Sequence, residues 1–509
     1  MLLDYQEPAA AAVGEGSATA GRQPSTHLDH SLSSSVAWRA AADWTSQILT
    51  WAGFLVVARL LSPSDFGIVS MAVILFAYLR YVGEFGIPAT VVNLRTMTED
   101  QIAQLNTIGA LLGLACFGLS CALAGPLAAF FRTPKLARVV MVTCSALAVL
   151  GMRAVPEGLL MKDLRFRWLA LVNAGCDVLA AVVTLTLALK GFAYWALVLG
   201  NLSADVTRSA LLMRERPHTF SIPRLKSIRK ELQFGWHILV STLAWSSCER
   251  LDSATAGRVL GPAPLGAYSI AWNLANVPLE KITTLVTTVA PSYLAAVQAD
   301  LASLRRYVRV LTEFISLVTF PATVGLALVA SDAVPLILGT KWQSAIPILE
   351  VLALYAAVRS VGALLTKVLN AMHRARFVMW NQLAGLVILP AAFYIGSHWG
   401  AVGIAWGWAV GYPLVAVPLY WKMFRTIGMG LGEYLRSLRP ALSGTIVMIV
   451  CVMALRVEVL PGRSALVRLV AEVLAGTAAY AGTLLLFHRQ RIMGFLVMLK
   501  GVRQARAGN

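Results

Sequence analysis

Residues 58–72 read ARLLSPSDFGIVSMA, and residues 257–271 read GRVLGPAPLGAYSIA. Laid side by side without gaps, Arg59/Arg258, Leu61/Leu260, Pro63/Pro262, Gly67/Gly266, Ser70/Ser269 and Ala72/Ala271 are identical. A second pair keeps the same order: Met161, Arg165 and Phe166 in LMKDLRFR match Met372, Arg376 and Phe377 in AMHRARFV. Each pair falls at the same point of a unit of six apolar segments, so the chain reads as a duplication. Six crossings return the second unit to the starting side. The repeats are therefore parallel, related by an axis along the membrane normal.

The segments are apolar enough to need lipid. Of 509 residues, 58% are hydrophobic and only 13% charged, with a mean hydropathy of +0.70. A single water-soluble core does not grow to this size, and the long Ala, Leu, Val and Gly runs suit helices rather than alternating strands. Runs of about 20 apolar residues place about fourteen spans, near 36–61, 65–88, 103–124, 136–158, 168–189, 192–213, 234–257, 265–294, 309–330, 344–366, 377–397, 401–424, 440–460 and 465–487. The expected fold is an all-α polytopic membrane protein: two pseudo-symmetric six-helix lobes, 35–213 and 234–424, joined by a basic linker, 214–233. A further helix pair occupies 425–487. Residues 1–34, polar and rich in Ser, Ala and Gly, read as a disordered cytoplasmic N-terminus, and 488–509 as a basic cytoplasmic tail.

The net charge of +18 would suggest nucleic acid on a soluble protein. Here the cations sit in short loops, so membrane orientation explains them and no nucleic-acid partner is expected. The linker alone holds Arg214, Arg216, Arg224, Lys226, Arg229 and Lys230. Loops on the opposite side carry mostly single charges, except one with Arg132, Lys135 and Arg138 and one with Arg456, Arg463 and Arg468. The bias predicts both termini in the cytoplasm of a bacterial inner membrane.

Charges within spans mark candidate function, because each costs about 3 kcal/mol to insert and generally faces a cavity or a partner. In the first lobe these are Arg39, Asp43, Arg80 and Glu84; in the second, Glu249, Arg250, Asp252, Glu280 and Lys281. They predict a polar cleft lined from both lobes. Arg39, Arg80, Arg250 and Lys281 are the candidate substrate-binding cations, and Asp43, Glu84, Glu249, Asp252 and Glu280 the candidates for ion coupling. Arg80 and Glu84 also read as a plain i,i+4 ion pair. Arg153 with Glu157, Asp177, Asp205 with Arg208, and Arg359 are read as pairs within a lobe or groups near loops. The six cysteines fall inside spans without metal spacing and read as small core residues. No HExxH, P-loop or GxSxG sequence occurs, so no cofactor, metal site or catalytic residue is expected.

Trp38, then ARLLSPSDFGIVSMA, EFGIPATVV at 84–92 and LILGTKWQSAIPILEVLAL at 336–354 resemble the polysaccharide-transporter flippases of the multidrug/oligosaccharidyl-lipid/polysaccharide exporter superfamily. The resemblance in layout runs from about residue 35 to 487. It implies a V-shaped pair of lobes that rocks between inward-open and outward-open states. It also implies a cargo of undecaprenyl-diphosphate-linked oligosaccharide, moved to the periplasmic leaflet for exopolysaccharide or lipopolysaccharide synthesis. Cavity cations are common in that family; the type carries over to Arg80, Arg250 and Lys281 without fixing their individual roles. Further implied partners are membrane lipids, a polysaccharide polymerase and export machinery. Two other readings stand beside it: a multidrug cation antiporter of the same superfamily, and a membrane polymerase or glycosyltransferase. The basic cleft and extra helix pair oppose the first. The lack of any interspan loop above about 20 residues opposes the second.

Overall fold

The computed structural model describes residues 51–489 except 52, 94–96, 164, 218, 225, 297–299 and 459–461. The expected N-terminal segment 1–34, the first part of span 36–61 (36–50) and most of the tail lie outside the described residues.

Helix α1 (53–60) ends at a turn, and α2 (Pro63–Glu84) starts with Pro63 in its first turn. The turn is closed by a capping box: Ser62 Oγ accepts from the Asp65 amide, and Asp65 returns a carboxylate oxygen to the Ser62 amide. Phe85 and Gly86 then adopt positive φ and break the helix, and α3 (Ile87–Asn93) continues the crossing. Next come α4 (Glu99–Phe130), α5 (Leu136–Cys144), α6 (Ala146–Lys162), α7 (Phe166–Leu189) and α8 (Tyr194–Glu215). The second unit comprises α9 (Arg229–Leu260), α10 (Pro262–Ala296), α11 (Leu301–Ile337), a 3₁₀ turn (Thr340–Ala345), α12 (Ile346–Ala371), α13 (Ala375–Ser397) and α14 (Gly400–Ile427). Helices α15 (Leu431–Glu458) and α16 (Ala465–Phe487) complete the described chain.

The fold is thus all-α and polytopic among the described residues, and each span expected from 65 onward falls largely on helix. The expected span 136–158 is two helices meeting at Ser145, whereas 265–294 is one unbroken helix. Among the described residues, ten helical stretches are long and apolar enough to cross a membrane. Helices α8, α9 and α10 are not among them, and all three give polar side chains to an internal cavity.

The duplicated sequence becomes a reciprocal contact. Helices α2 and α10 cross so closely that a Cβ on Gly67 would collide with the Pro262 carbonyl, and one on Gly266 with the Pro63 carbonyl. Both pairs are identities of the repeat, so each half offers the other the same surface. Beside this crossing, Trp342 of the 3₁₀ turn is fully buried and donates from Nε1 to the Ala58 carbonyl at 2.8 Å. Lys341 Nζ donates to the Arg59 carbonyl at 2.7 Å, and Arg59 Nη2 to the Leu336 carbonyl at 3.1 Å. The sequence LILGTKW therefore fastens the second lobe onto the end of α1.

The lobes also touch at the opposite end. The Phe85 carbonyl closes on Gly235 of α9, and Phe85 and Trp236 pack ring to ring at 6.5 Å. Gln101 donates from Nε2 to Glu231 at 3.2 Å. The linker is pinned to the first turns of α4: Thr107 donates to the Ser221 carbonyl, and Gln104 accepts from the Arg224 amide, both at 2.8 Å.

The appended pair is held to α11 by charge. Arg456 donates to Glu472 at 2.8 Å, and Arg468 pairs with Asp332. Two of the arginines that break the loop-charge bias are therefore neutralised by buried carboxylates, and what they report is packing.

Candidate functional site: a polar cavity between the lobes

Between the two inter-lobe contacts lies a cavity of about 530 Å³. Helix α2 turns Val69, Ser70, Val73 and Ile74 toward it, at the three- and four-residue spacing of one helical face. Helix α8 adds Asn201. Helix α9 adds Arg250 and Ser253, three residues apart and therefore on one side. Helix α10 adds Ser269, Trp272, Asn273, Asn276 and Glu280, and α12 adds Arg359. Ser70 and Ser269 are another identity of the repeat, here facing one space from opposite lobes.

Among the described residues the lining holds two guanidinium groups, Arg250 and Arg359. Arg359 rests over the Trp272 ring at 5.8 Å and reaches Asn276 Oδ1 at 3.4 Å. These two neighbours are uncharged and fix its direction. No ion pair to Arg250 or to Glu280 occurs among the described residues. An arginine fork of this kind matches a phosphate or carboxylate with two parallel hydrogen bonds.

The candidates from sequence fall into separate places. Arg250 and Glu280 line the cavity. Asp252 does not: it is 1% exposed behind the wall, where Oδ2 accepts from Tyr268 at 2.7 Å and from Trp408 Nε1 at 2.9 Å. Trp408 packs at a tilt against Trp272, ring centres 5.4 Å apart, so this carboxylate underpins the aromatic floor on which Arg359 lies. Arg80 and Glu84 pair at 3.5 Å outside the cavity lining. They stand beyond its end, with Glu84 within electrostatic range of Arg153, Glu157 and Asp205. Arg39 and Asp43 lie outside the described residues. Glu249 and Lys281 occupy positions on α9 and α10, but their side chains are also outside the described set.

A second cavity of about 250 Å³ opens inside the first lobe and shares Asn201 with the main one. Asp205 stands 3.5 Å from Arg153 and 3.6 Å from Arg208, and Arg208 donates to Asp177 at 2.7 Å. Arg153 with Glu157, at 3.6 Å, and Asp205 with Arg208 are the pairs their spacing suggested; Arg153 with Asp205 and Arg208 with Asp177 join different helices of the lobe. Arg359 departs from that reading and faces the central space. The signal was present: no acidic residue lies within four positions of Arg359 in sequence, whereas Arg153 has Glu157 four residues on and Arg208 has Asp205 three back.

Fold and cavity define a class: a multi-pass α-helical membrane protein of two like lobes around a polar, arginine-bearing space. The comparisons narrow it. Residues 56–347, more than half the chain, match the family described as "Polysaccharide biosynthesis protein", and the chain belongs to that family. The succinoglycan biosynthesis transport protein ExoT of Rhizobium meliloti (strain 1021) is 25% identical over 464 residues, covering 89% of this chain and 92% of the relative. The lipopolysaccharide biosynthesis protein WzxC of Escherichia coli (strain K12) is 25% identical over 396 residues, covering 75% of this chain and 79% of the relative. Among solved structures, the lipid II flippase MurJ in an inward closed conformation superposes with a TM-score of 0.69 at 14% identity, over 89% of this chain and 99% of that one. At that identity the likeness concerns the fold alone.

Proposed function

We propose that this protein is a flippase that carries undecaprenyl-diphosphate-linked oligosaccharide repeat units from the cytoplasmic to the periplasmic leaflet by alternating access, in exopolysaccharide or lipopolysaccharide synthesis. The observation that carries the reading is the pair Arg250 and Arg359, two guanidinium groups lining one inter-lobe cavity. Two such forks suit a diphosphate. Asn201, Asn273, Asn276 and the serines offer donors and acceptors to sugar hydroxyls. The isoprenoid stays in apolar surroundings, for which the cavity of about 520 Å³ between α11, α15 and α16, lined by Leu317, Pro321 and Val452 among others, is suited.

Exchange of access requires the inter-lobe contacts to open in turn, never both together. With both termini cytoplasmic, the Gly67–Gly266 crossing is the periplasmic gate and the Phe85–Gly235 contact the cytoplasmic one. Glu280 is the carboxylate placed to couple transport to an ion, and Asp252 to position the aromatic floor. The domain limits at 213, 234 and 424 follow the linker and the repeat. The protein works as a transporter, delivering repeat units to a polymerase and export machinery, and carries out no bond-making step itself.

The test is a strain lacking the protein, in which undecaprenyl-linked oligosaccharides are extracted and assigned to a leaflet while surface polymer is scored. Complete repeat units held on the cytoplasmic leaflet, with polymer restored by complementation, are expected. Normal translocation with polymer missing would replace the proposal with a polymerase. Normal polymer with altered drug tolerance would replace it with an antiporter.

A further inference from the structure

Helix α11 carries a proline, Pro321, in its interior. Proline has no amide hydrogen, so the Leu317 carbonyl one turn earlier loses its helical donor. A carbonyl left bare at membrane depth is costly. The donor comes from the appended pair: Tyr480 of α16 gives its hydroxyl hydrogen to the Leu317 carbonyl at 2.7 Å. Room has been made for this reach. A Cβ on Gly444 of α15 would stand 2.7 Å from the Tyr480 ring, so the ring lies against bare backbone on its way to α11. The pair is already tied to α11 by Arg456 and Arg468 on Asp332. The Tyr480 bond differs from those ties in falling on a carbonyl that a proline frees, at the point where a helix bends most readily.

The same turn of α11 is held to α12. Thr319, two residues past Leu317, is fully buried, and its hydroxyl meets that of Ser360, equally buried, at 2.8 Å. Ser360 is the chain neighbour of Arg359, which lines the inter-lobe cavity. Tyr480 and Pro321 line the apolar cavity between α11, α15 and α16, and neither lines the inter-lobe one. One turn of α11 therefore stands between the two spaces, gripped from each side by a hydroxyl.

We propose that Tyr480 is a positioning residue for Arg359. Its hydroxyl sets the bend of α11 at Pro321, and the Thr319–Ser360 contact passes that bend to α12 and to the guanidinium facing the diphosphate. This inference rests on the reading of the inter-lobe cavity as a diphosphate site, and it gives the appended helix pair a part in that site without contact with it.

The experiment titrates the full-length protein in detergent with inorganic pyrophosphate, by calorimetry, with thermal melting alongside. The parent is expected to bind, and R250A/R359A to bind at least about 10-fold more weakly. Tyr480→Phe keeps the ring against Gly444 and removes only the hydroxyl. It should weaken pyrophosphate binding about fivefold, the weight of one hydrogen bond, while melting close to the parent. In an Arg359→Ala background the same change should alter binding by less than about 1.5-fold, whereas in Arg250→Ala the fivefold loss should persist. Pro321→Ala returns an amide donor to the Leu317 carbonyl, so Tyr480→Phe added to it should cost no further affinity. Parent-like binding by Tyr480→Phe overturns the inference, and leaves the flippase reading standing where R250A/R359A has lost binding. A full fivefold loss in the Arg359→Ala background also overturns it, by routing the effect around Arg359. So does a large fall in melting temperature that Pro321→Ala does not relieve, which would make the hydroxyl a packing group. Pyrophosphate binding absent from the parent, or unchanged in R250A/R359A, removes the diphosphate site and this inference with it.

Discussion

The two lobes repeat one another in outline and handle buried charge in opposite ways. The first keeps an ionic lattice: Arg153, Asp205, Arg208 and Asp177 run across α6, α7 and α8 within 3.6 Å steps. The second sets Asp252 inside an aromatic box of Tyr268 and Trp408 and pairs its buried Asp332 with arginines of the appended helices rather than with its own. Both cations that line the central cavity, Arg250 and Arg359, come from this second lobe. Among the described residues the first lobe gives the cavity only uncharged groups, such as Ser70 and Asn201. Duplication therefore preserved the helix crossing while chemistry was redistributed. Among the described residues the second half supplies the cavity's cations, while the charges of α6, α7 and α8 in the first half pair with one another.

That contrast can be broken most sharply in the ionic lattice. Arg153→Ala leaves Glu157 without its cation and Asp205 with Arg208 alone, and should cost about 3 kcal/mol of stability, read as loss of folded protein in detergent melts. If the variant melts like the parent, the lattice is not a tie. The next effect belongs to the cavity. R250A/R359A should lower translocation by roughly 10- to 100-fold, the worth of charge-assisted hydrogen bonds of about 1.5–3 kcal/mol, while melting stays close to the parent value. A matched loss of stability would reassign these arginines to packing. Asp252→Asn keeps shape and acceptor but loses charge, so it should cost about 1–2 kcal/mol. It should also raise the substrate concentration needed for half-maximal transport, through the Trp408–Trp272–Arg359 contacts; an unchanged half-saturation would sever that connection. Gly67→Ala sets a methyl group against the Pro262 backbone. It should disfavour the closed crossing by about 1–3 kcal/mol, seen as faster alkylation of a thiol introduced by Ser269→Cys from the α1–α2 side. The smallest change is Arg165→Ala, which removes an ion pair with Glu215 whose partners are 51 and 33% exposed. It should shift stability by no more than about 1 kcal/mol.

Hydropathy made the helices legible, because a span must be apolar over its length and the bilayer sets that length. The repeat was legible too, since Gly67 and Gly266 are held by a contact that admits no Cβ. The cavity was only half legible, for reasons of angle and depth. Arg250 and Asp252 are two residues apart, a separation of about 200° around a helix, so one can face the cleft only if the other faces away. Arg80 lies seven residues beyond Val73 on nearly the same face of α2, but about 10 Å further along, past the cavity end. Arg359 stood out by having no acidic residue at helical spacing in its own helix. The ring of Trp272 beneath it could not be foreseen, because α10 and α12 are brought together only by the folded lobe.

The crossing of Pro63 and Gly67 with Pro262 and Gly266 has the form of a homodimer interface whose two subunits share one chain. Each side supplies the same carbonyl and the same bare backbone, so the contact is isologous. Such a joint cannot drift on one side alone. A side chain gained at either glycine meets the partner's proline, and relief has to come from the other half of the same gene. The halves are thereby bound to a common pace of change at this point, however far their cavity walls diverge. A protein assembled from two copies of either half would still carry matching surfaces with which to close upon itself.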